Sequence, residues 1–372
     1  MGMGNKKGVS KMNRQQLSIV GLIGMAISMN QADASRWNGH NNPGNLHRRY
    51  EMNFDELPLE GEMSHAKMPW SGIYWPNKEG GISARWNDPY HDKKKAFKYP
   101  IYSRFTLEKM SMQQLERLSP AEKYDIYRGR YDFPTVKAER KKNRKGSAEW
   151  HGICHGWSPA SIHYAEPAAV VMTNPDGIRV PFGSSDVKAL LSYYYGVVDY
   201  QPGPQVGLRC QGISLRGACK DVNAGAFHVV LTNQIGLLDE SFNLDIDRTR
   251  EIWNQPVTGY KTRVLSRRRN NRMRARRTGV HTVYEVRTVL TYANDDRKPS
   301  WEPVMENEND DKRFASKTLE YTVEVNGWGQ VVGGNWISHT RPDFLWTRPK
   351  VEFKGYYQGI GEIFQPAVAP RP

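Results

Sequence analysis

An α+β fold, in which a helix carrying a nucleophilic cysteine packs against an antiparallel sheet, is predicted by three observations. The first is a glycine-flanked cysteine, His151-Gly152-Ile153-Cys154-His155-Gly156-Trp157-Ser158, set just before a stretch that can be helical. The second is a series of strand-like segments in the later half: Phe242–Asp247, Val280–Leu290, Thr318–Val325 and Gln330–Trp336. The third is composition. Tryptophan, tyrosine, glycine and proline are abundant, and 25% of residues are charged, which suits a loop-rich globular protein and not a disordered one. With 372 residues the chain can form one large domain or two smaller ones with a real core.

The first residues read as an export signal. Lys6, Lys7, Lys11 and Arg14 precede the short apolar run Leu17–Met29, and Ala32-Asp33-Ala34 is a small-x-small cleavage site. The mature chain is expected to begin at Ser35 and to lie outside the cytoplasm, secreted or periplasmic. The apolar run is too short and wrongly flanked for a spanning helix, and no other stretch could span, so no stable membrane span remains after signal removal. Export places the three cysteines where disulfides persist. Cys210 and Cys219 bound a small glycine-containing loop, and their pairing leaves Cys154 free. A leftover thiol in an exported protein is reactive or an intermolecular linker, and the glycines and the helix start around Cys154 favour a reactive one. Cys154 with His151 or His155 could supply metal ligands, but no second pair has zinc-site spacing.

Residues 35–120 are loop-rich and aromatic and read as a propeptide-like or covering segment. Helical spacing of Leu107, Met110, Leu115 and Leu118 predicts a helix over 105–118, and Ser119-Pro120 starts another that runs through Tyr127 to Gly129. The charge run Lys137–Lys145 reads as a solvated turn. Because proline is poorly tolerated inside helices, the cysteine helix is expected to begin properly only at Ser158-Pro159. Ser184-Ser185-Asp186 caps a helix over Val187–Tyr195 that Gly196 stops.

The run Asn223–Leu231 reads as a strand presenting His228, and Phe242–Asp247 as a strand with Asn243, Asp245 and Asp247 on its polar face. Two such strands side by side would place an imidazole next to a carboxylate. The imidazole would then deprotonate or pair with the Cys154 thiol, while Asp245, with Asp247 as substitute or assistant, fixes its tautomer. Ile252–Lys261 reads as a packed surface loop. Most of the net charge of +14 comes from the arginine tract Arg263–Arg277, expected to be an exposed loop with nonspecific anion affinity. It lacks helix-turn-helix and RNP-like patterns, so no specific nucleic acid is expected. The acidic stretch Asp295–Asp311 could hold calcium, but without the EF-hand glycine and spacing. Thr318–Val325 and Gln330–Trp336 should form a hairpin about Asn326-Gly327.

Trp253-Asn254-Gln255-Pro256-Val257-x-Gly259-Tyr260-Lys261 resembles the elicitor peptide motif of the oomycete (Phytophthora) transglutaminases. Trp150-x-Gly152-Ile153-Cys154-His155-Gly156-Trp157, Asn223–His228, Gly333-Gly334-x-Trp336 and Arg341–Trp346 resemble further blocks of that family, in order. The export signal points to a bacterial member. The resemblance implies a papain-like cysteine protease fold, Gln–Lys isopeptide cross-linking through a Cys thioester, and an N-terminal segment that restrains activity. It carries the nucleophile onto Cys154 and the histidine onto His228, and it supports Asp245 with Asp247 nearby. Ala148 stands where papain-like enzymes place an oxyanion-hole glutamine, so the Cys154 N–H with support from Trp150 or His151 must serve. Expected partners are proteins bearing Gln and Lys, or small amines. The chemistry requires no cofactor. The expected domain layout is a signal over 1–34, a covering segment over 35–120, a catalytic domain over 121–350 and a tail over 351–372. A secreted cysteine protease with the same triad and a non-enzymatic, basic surface-binding protein are the competing readings.

Overall fold

Short helices occupy the first half of the chain and long antiparallel strands the second in the computed structural model, which describes residues 37–92, 98–143, 146–210, 220–305 and 312–367. The export signal and Cys219 lie outside the described residues. Among the described residues no helix is long and apolar enough to cross a membrane.

Capping side chains set the helix starts. The expected helix over 105–118 is two pieces, α1 (Arg104–Leu107) and α2 (Met112–Glu116), because Ser111 forms a capping box with Gln114 and restarts the chain. Helix α3 (Pro120–Tyr127) starts as expected, with Ser119 and Glu122 as capping box and proline in the first turn. The Lys137–Lys145 turn is instead largely a helix, α4 (Pro134–Lys142), held by buried Glu139, whose Oε2 accepts from Ile82 N (3.2 Å) and Asn143 Nδ2 (2.8 Å). Helix α5 (Cys154–His163) begins at the cysteine itself and keeps Pro159 in its interior. Helix α6 (Ser184–Tyr193) is capped at Gly183, whose N–H is taken by Asp186 (2.7 Å). It runs on past Gly196 in a wider turn over Tyr194–Val198. The Asn223–Leu231 segment is not a strand but helix α7 (Ala224–Leu231), with Asn223 Oδ1 capping Gly225 N at 2.9 Å. Every residue of α7 is buried, so no polar face marks its period, and an apolar run of that length reads equally as strand or helix.

The described residues contain ten strands: β1 (Glu60–Glu62), β2 (Val170–Thr173), β3 (Arg179–Phe182), β4 (Gln205–Gly207), β5 (Asn243–Asp245), β6 (Asn254–Arg269), β7 (Thr282–Ala293), β8 (Phe314–Val325), β9 (Val331–Trp336) and β10 (Phe344–Trp346). Among the described residues, β2 and β3 pair alone. The others form an antiparallel sheet in the order β4-β10-β5-β6-β7-β8-β9, with β1 added against β6. The Asn326-Gly327 hairpin joins β8 and β9 as expected. Two expected loops are not loops. Asn254–Lys261 and the first part of the arginine tract are strand β6, and the rest of the tract is helix α8 (Arg272–Thr278). Pairing with β7 from Val257↔Tyr292 to Arg269↔Thr282 satisfies this backbone whatever its charge. The tail also folds: helix α9 (Gly359–Ile363) buries Ile360 and Ile363.

The described residues pack as one unit around two apolar clusters. One gathers Trp70, Tyr124, Trp157, Leu190 and Tyr195, the other Phe227, Val230, Leu244 and Tyr321. Trp70, Trp75 and Ile82, from the segment expected to cover the domain, lie inside the first. Within that cluster Lys123 and Asp186 are an ion pair at 2.6 Å with both side chains fully buried, and Asp186 also accepts from Trp86 Nε1 (2.8 Å). Lys123→Ala strands this carboxylate and is expected to lower stability by about 3–5 kcal/mol, read as an early urea midpoint. An unchanged midpoint would mean that Asp186 is satisfied without the lysine.

Candidate active site at the head of helix α5

The cysteine helix is seated by two close approaches that only glycine allows. A Cβ on Gly152 would lie 2.3 Å from Tyr74 O, and one on Gly156 would lie 2.2 Å from Ser192 O at the end of α6. Ser158 donates to Asn243 Oδ1 (2.6 Å) and ties α5 to β5. Backbone bonds from Ile153 N to Tyr74 O (2.8 Å) and from Asn77 N to His151 O (2.8 Å) lay residues 74–77 against the cysteine turn.

Cys154 is a free thiol, 5% exposed, at the first position of α5. Its Sγ donates to Ile252 O (3.5 Å) and receives the Asn254 Nδ2 amide at 3.6 Å, as well as the Asn254 backbone N–H. The amide orientation follows from chemistry. Trp346 Nε1, which can only donate, sits 2.8 Å from Asn254 Oδ1, so the NH2 group faces the sulfur. Burial pushes the thiol up to about 11; the two Asn254 bonds pull it down, and the Asp295 and Asp245 carboxylates push it further up.

Asp245 is fully buried opposite Asn254 in the β5–β6 register. Its Oδ1 accepts from Trp253 N (3.0 Å), and its Oδ2 has no hydrogen-bond partner. Burial, reinforced by Asp343 and Asp247, pushes it up to about 8 against the Trp253 N–H. Asp247 lies in the turn after β5, where its Oδ1 accepts from Thr249 N (2.9 Å). The β5 strand therefore has no solvated polar face: Asn243 and Asp245 are as buried as Leu244.

A cavity of about 470 Å³ opens beside the thiol, walled by Trp150, His151, His155, Asn254, Phe344 and Trp346. His151 is exposed, with its ring 4.2 Å from that of Trp150. His155 Nε2 is engaged by Gly196 O at 3.0 Å. His228 does not join this wall. On α7 it is fully buried in the other cluster, stacked on Phe54 at 5.5 Å, with Nδ1 on the Tyr321 hydroxyl (2.9 Å) and Nε2 without a hydrogen-bond partner. Burial alone pushes it down to about 4. The expected pairing of His228 with Asp245 on neighbouring strands is thus not formed, because the histidine segment is a helix. Trp253 packs edge-on to Tyr74 (5.3 Å), while Gln255 and Pro256 are internal to β6, opposite Leu244 and Asn243. Cys210 donates its N–H to Asp343 Oδ2 (2.8 Å); its expected partner Cys219 lies outside the described residues. Asn254 had no assigned role in the sequence beyond the motif containing it, and that motif was the one signal that could have singled it out.

Asp245 and His228 act on stability in opposite directions. Between pH about 4 and 8 the folded chain keeps an Asp245 proton that the unfolded chain, at 3.8, has released, so stability falls as pH rises through that window. The unfolded chain gains a His228 proton at 6.5 and the folded one only near 4, so that contribution is lost as pH falls. Asp245→Asn keeps an acceptor for Trp253 N and removes the first effect. Its melting temperature relative to the parent should rise between pH 4 and pH 8; a difference that stays flat would place the folded carboxyl at its ordinary value.

A thiol at the head of a helix, packed on an antiparallel sheet and opening to a cleft, defines an α+β protein built around one buried sulfur. Residues 45–354 match the family described as Transglutaminase elicitor, and the chain belongs to that family. The crystal structure of the GP42 transglutaminase from Phytophthora sojae is similar in fold, with a TM-score of 0.62 at 23% identity, covering 84% of this chain and 92% of that one. No curated protein matches the chain.

Proposed function

We propose that the chain is a protein-glutamine γ-glutamyltransferase of papain-like fold with Cys154 as nucleophile. The observation that carries the reading is the Asn254 amide, turned by Trp346 toward a free sulfur at a helix N-terminus. Cys154 Sγ attacks the carboxamide carbon of a protein glutamine, and its proton passes to an imidazole. The oxyanion of the tetrahedral intermediate takes hydrogen bonds from Asn254 Nδ2–H and the N–H groups of the first turn of α5. Collapse forms the thioester, and the leaving amine departs as ammonia with the imidazolium proton. A lysine amine then attacks the thioester, gives its proton to the imidazole, and releases the isopeptide and the thiol. Water in place of the amine yields glutamate.

His151 is the imidazole we assign to the proton, since it is exposed on the cleft wall while His155 Nε2 is held by Gly196 O. The Cys154–His228–Asp245 relay, favoured by chain order, is the competing assignment. His151→Gln is expected to lower kcat by about 10²–10⁴. His228→Gln should leave kcat nearly unchanged and lower the melting temperature. The reverse pattern would return the role to His228.

The activity itself is tested by incorporation of a fluorescent primary amine into a glutamine-rich protein, with Cys154→Ala alongside and fragments followed on the same gel. Label that depends on Cys154 supports the reading, whereas Cys154-dependent fragments without label would make the protein a protease. Export behind residues 1–34 and a Cys210–Cys219 bridge belong to the same proposal. The intact mass of the secreted chain, before and after reduction, checks both. Calcium is given no step, and chelation is expected to leave the rate unchanged.

A further inference from the structure

Strand β6 has Asn254 at one end and, about 50 Å of extended chain later, a second pocket at the other. Alternation puts Arg267 and Arg269 on one face of the sheet, beside their cross-strand partners Tyr284 and Thr282. These residues, with Asn270 and His281, line a cavity of about 310 Å³. The Asn326–Gly329 turn closes one side, and Phe54 and Asp55 close another. His281 lies along the turn, where a Cβ on Gly327 would come 3.3 Å from its ring. Phe54 stacks on Tyr284 at 4.0 Å and makes a firm base, over which Arg267 lies 5.5 Å from the tyrosine ring.

The charge here is concentrated. From Arg263 to Tyr284 the sequence contains arginine at 263, 267, 268, 269, 272, 274, 276 and 277 and no acidic residue. Among the described residues, Asp55 is the one carboxylate on the pocket wall. Trp328, in the same turn whose glycines line the pocket, is 67% exposed. Guanidinium forks suit planar or tetrahedral oxyanions, and a flat exposed indole suits the C–H face of a sugar ring. A single-stranded nucleic acid would need a track of several aromatics for successive bases, and here one exposed indole stands in the turn beside the pocket.

We propose that this pocket binds the sulfate or uronate groups of an anionic polysaccharide, with Arg267 and Arg269 on the acidic group, Trp328 against the sugar, and the α8 arginines adding long-range attraction. Such a site would hold the protein on an acidic glycan matrix while Cys154 works at the other end of β6.

The test is calorimetric titration of the full chain at fixed salt with a sulfated oligosaccharide, a uronate oligosaccharide of equal length, a neutral oligosaccharide and a single-stranded oligonucleotide. Both acidic saccharides or one of them should bind, which names the source, and the neutral one should not. Arg267→Ala and Arg269→Ala are each expected to weaken binding about tenfold, the loss of one charge-assisted contact. Trp328→Ala should weaken saccharide binding and leave inorganic sulfate binding unchanged. Arg272→Ala with Arg274→Ala, outside the pocket, should cost less than about threefold. The proposal is overturned if the α8 variant loses as much as the pocket variants, or if the oligonucleotide binds tighter than either saccharide. All these side chains are exposed, so the variants should melt with the parent. Amine incorporation into a small soluble glutamine substrate should also stay within about twofold, which separates failure of this site from failure of the Cys154 reading.

Discussion

Cys154→Ala is expected to bring amine incorporation down to the assay background, a fall of at least about 10³-fold, with the fold retained. Among the described residues the sulfur is the one group on the cleft wall able to form a thioester, and no second cysteine lines that wall. Truncation removes one buried atom whose contacts are the weak ones to Ile252 O and the Asn254 amide. The melting temperature should therefore move little, and a lost activity cannot be blamed on unfolding. Residual Cys154-independent incorporation would end the thioester mechanism. The same thiol, pushed up to about 11 by burial, should react slowly with iodoacetamide at pH 7 and faster as pH rises. Release of residues 74–77 from the cysteine turn would expose it, so nicking there should speed alkylation at fixed pH.

Asn254→Ala is expected to lower kcat by about 10²–10³ with KM nearly unchanged, the loss found when one oxyanion donor is removed. Two further readings separate this role from a structural one. Without the Asn254 amide the thiol loses a donor that pulls its pKa down, so the alkylation profile should shift to higher pH. Asn254→Asp keeps an acceptor for Trp346 Nε1, so it should restore stability without restoring the rate. A variant that loses stability and activity together, and recovers both as aspartate, would make Asn254 a strut for Trp346 only.

The parts of the fold legible in the sequence are those written in neighbouring residues. Ser119-Pro120 with Glu122 announces α3 because a side-chain oxygen three residues away satisfies the free N–H groups of a first turn. Asn326-Gly327 announces the β8–β9 hairpin through its turn chemistry. The errors fall where burial removes the pattern. Helix α7 has no polar stripe, so its run of apolar residues hides its period. Asp245 and Asn243 look like a solvated face because they are polar, yet both are buried. The arginine tract looks like a loop because it is charged, yet β7 supplies its backbone partners.

By itself the sequence singled out Cys154 and the glycines at 152 and 156 that seat it, since close backbone approach is a local requirement, and it carried the motifs of the family, but it placed the helix start later, at Ser158-Pro159. Only the tertiary structure decided what surrounds the sulfur. Asn254 comes from 100 residues away, and its amide is turned by Trp346, a further 92 residues on. His228 is withdrawn from the thiol because its segment chose helix over strand. Such choices depend on which buried surfaces meet, and that information is spread over the whole chain and not held in any window of it.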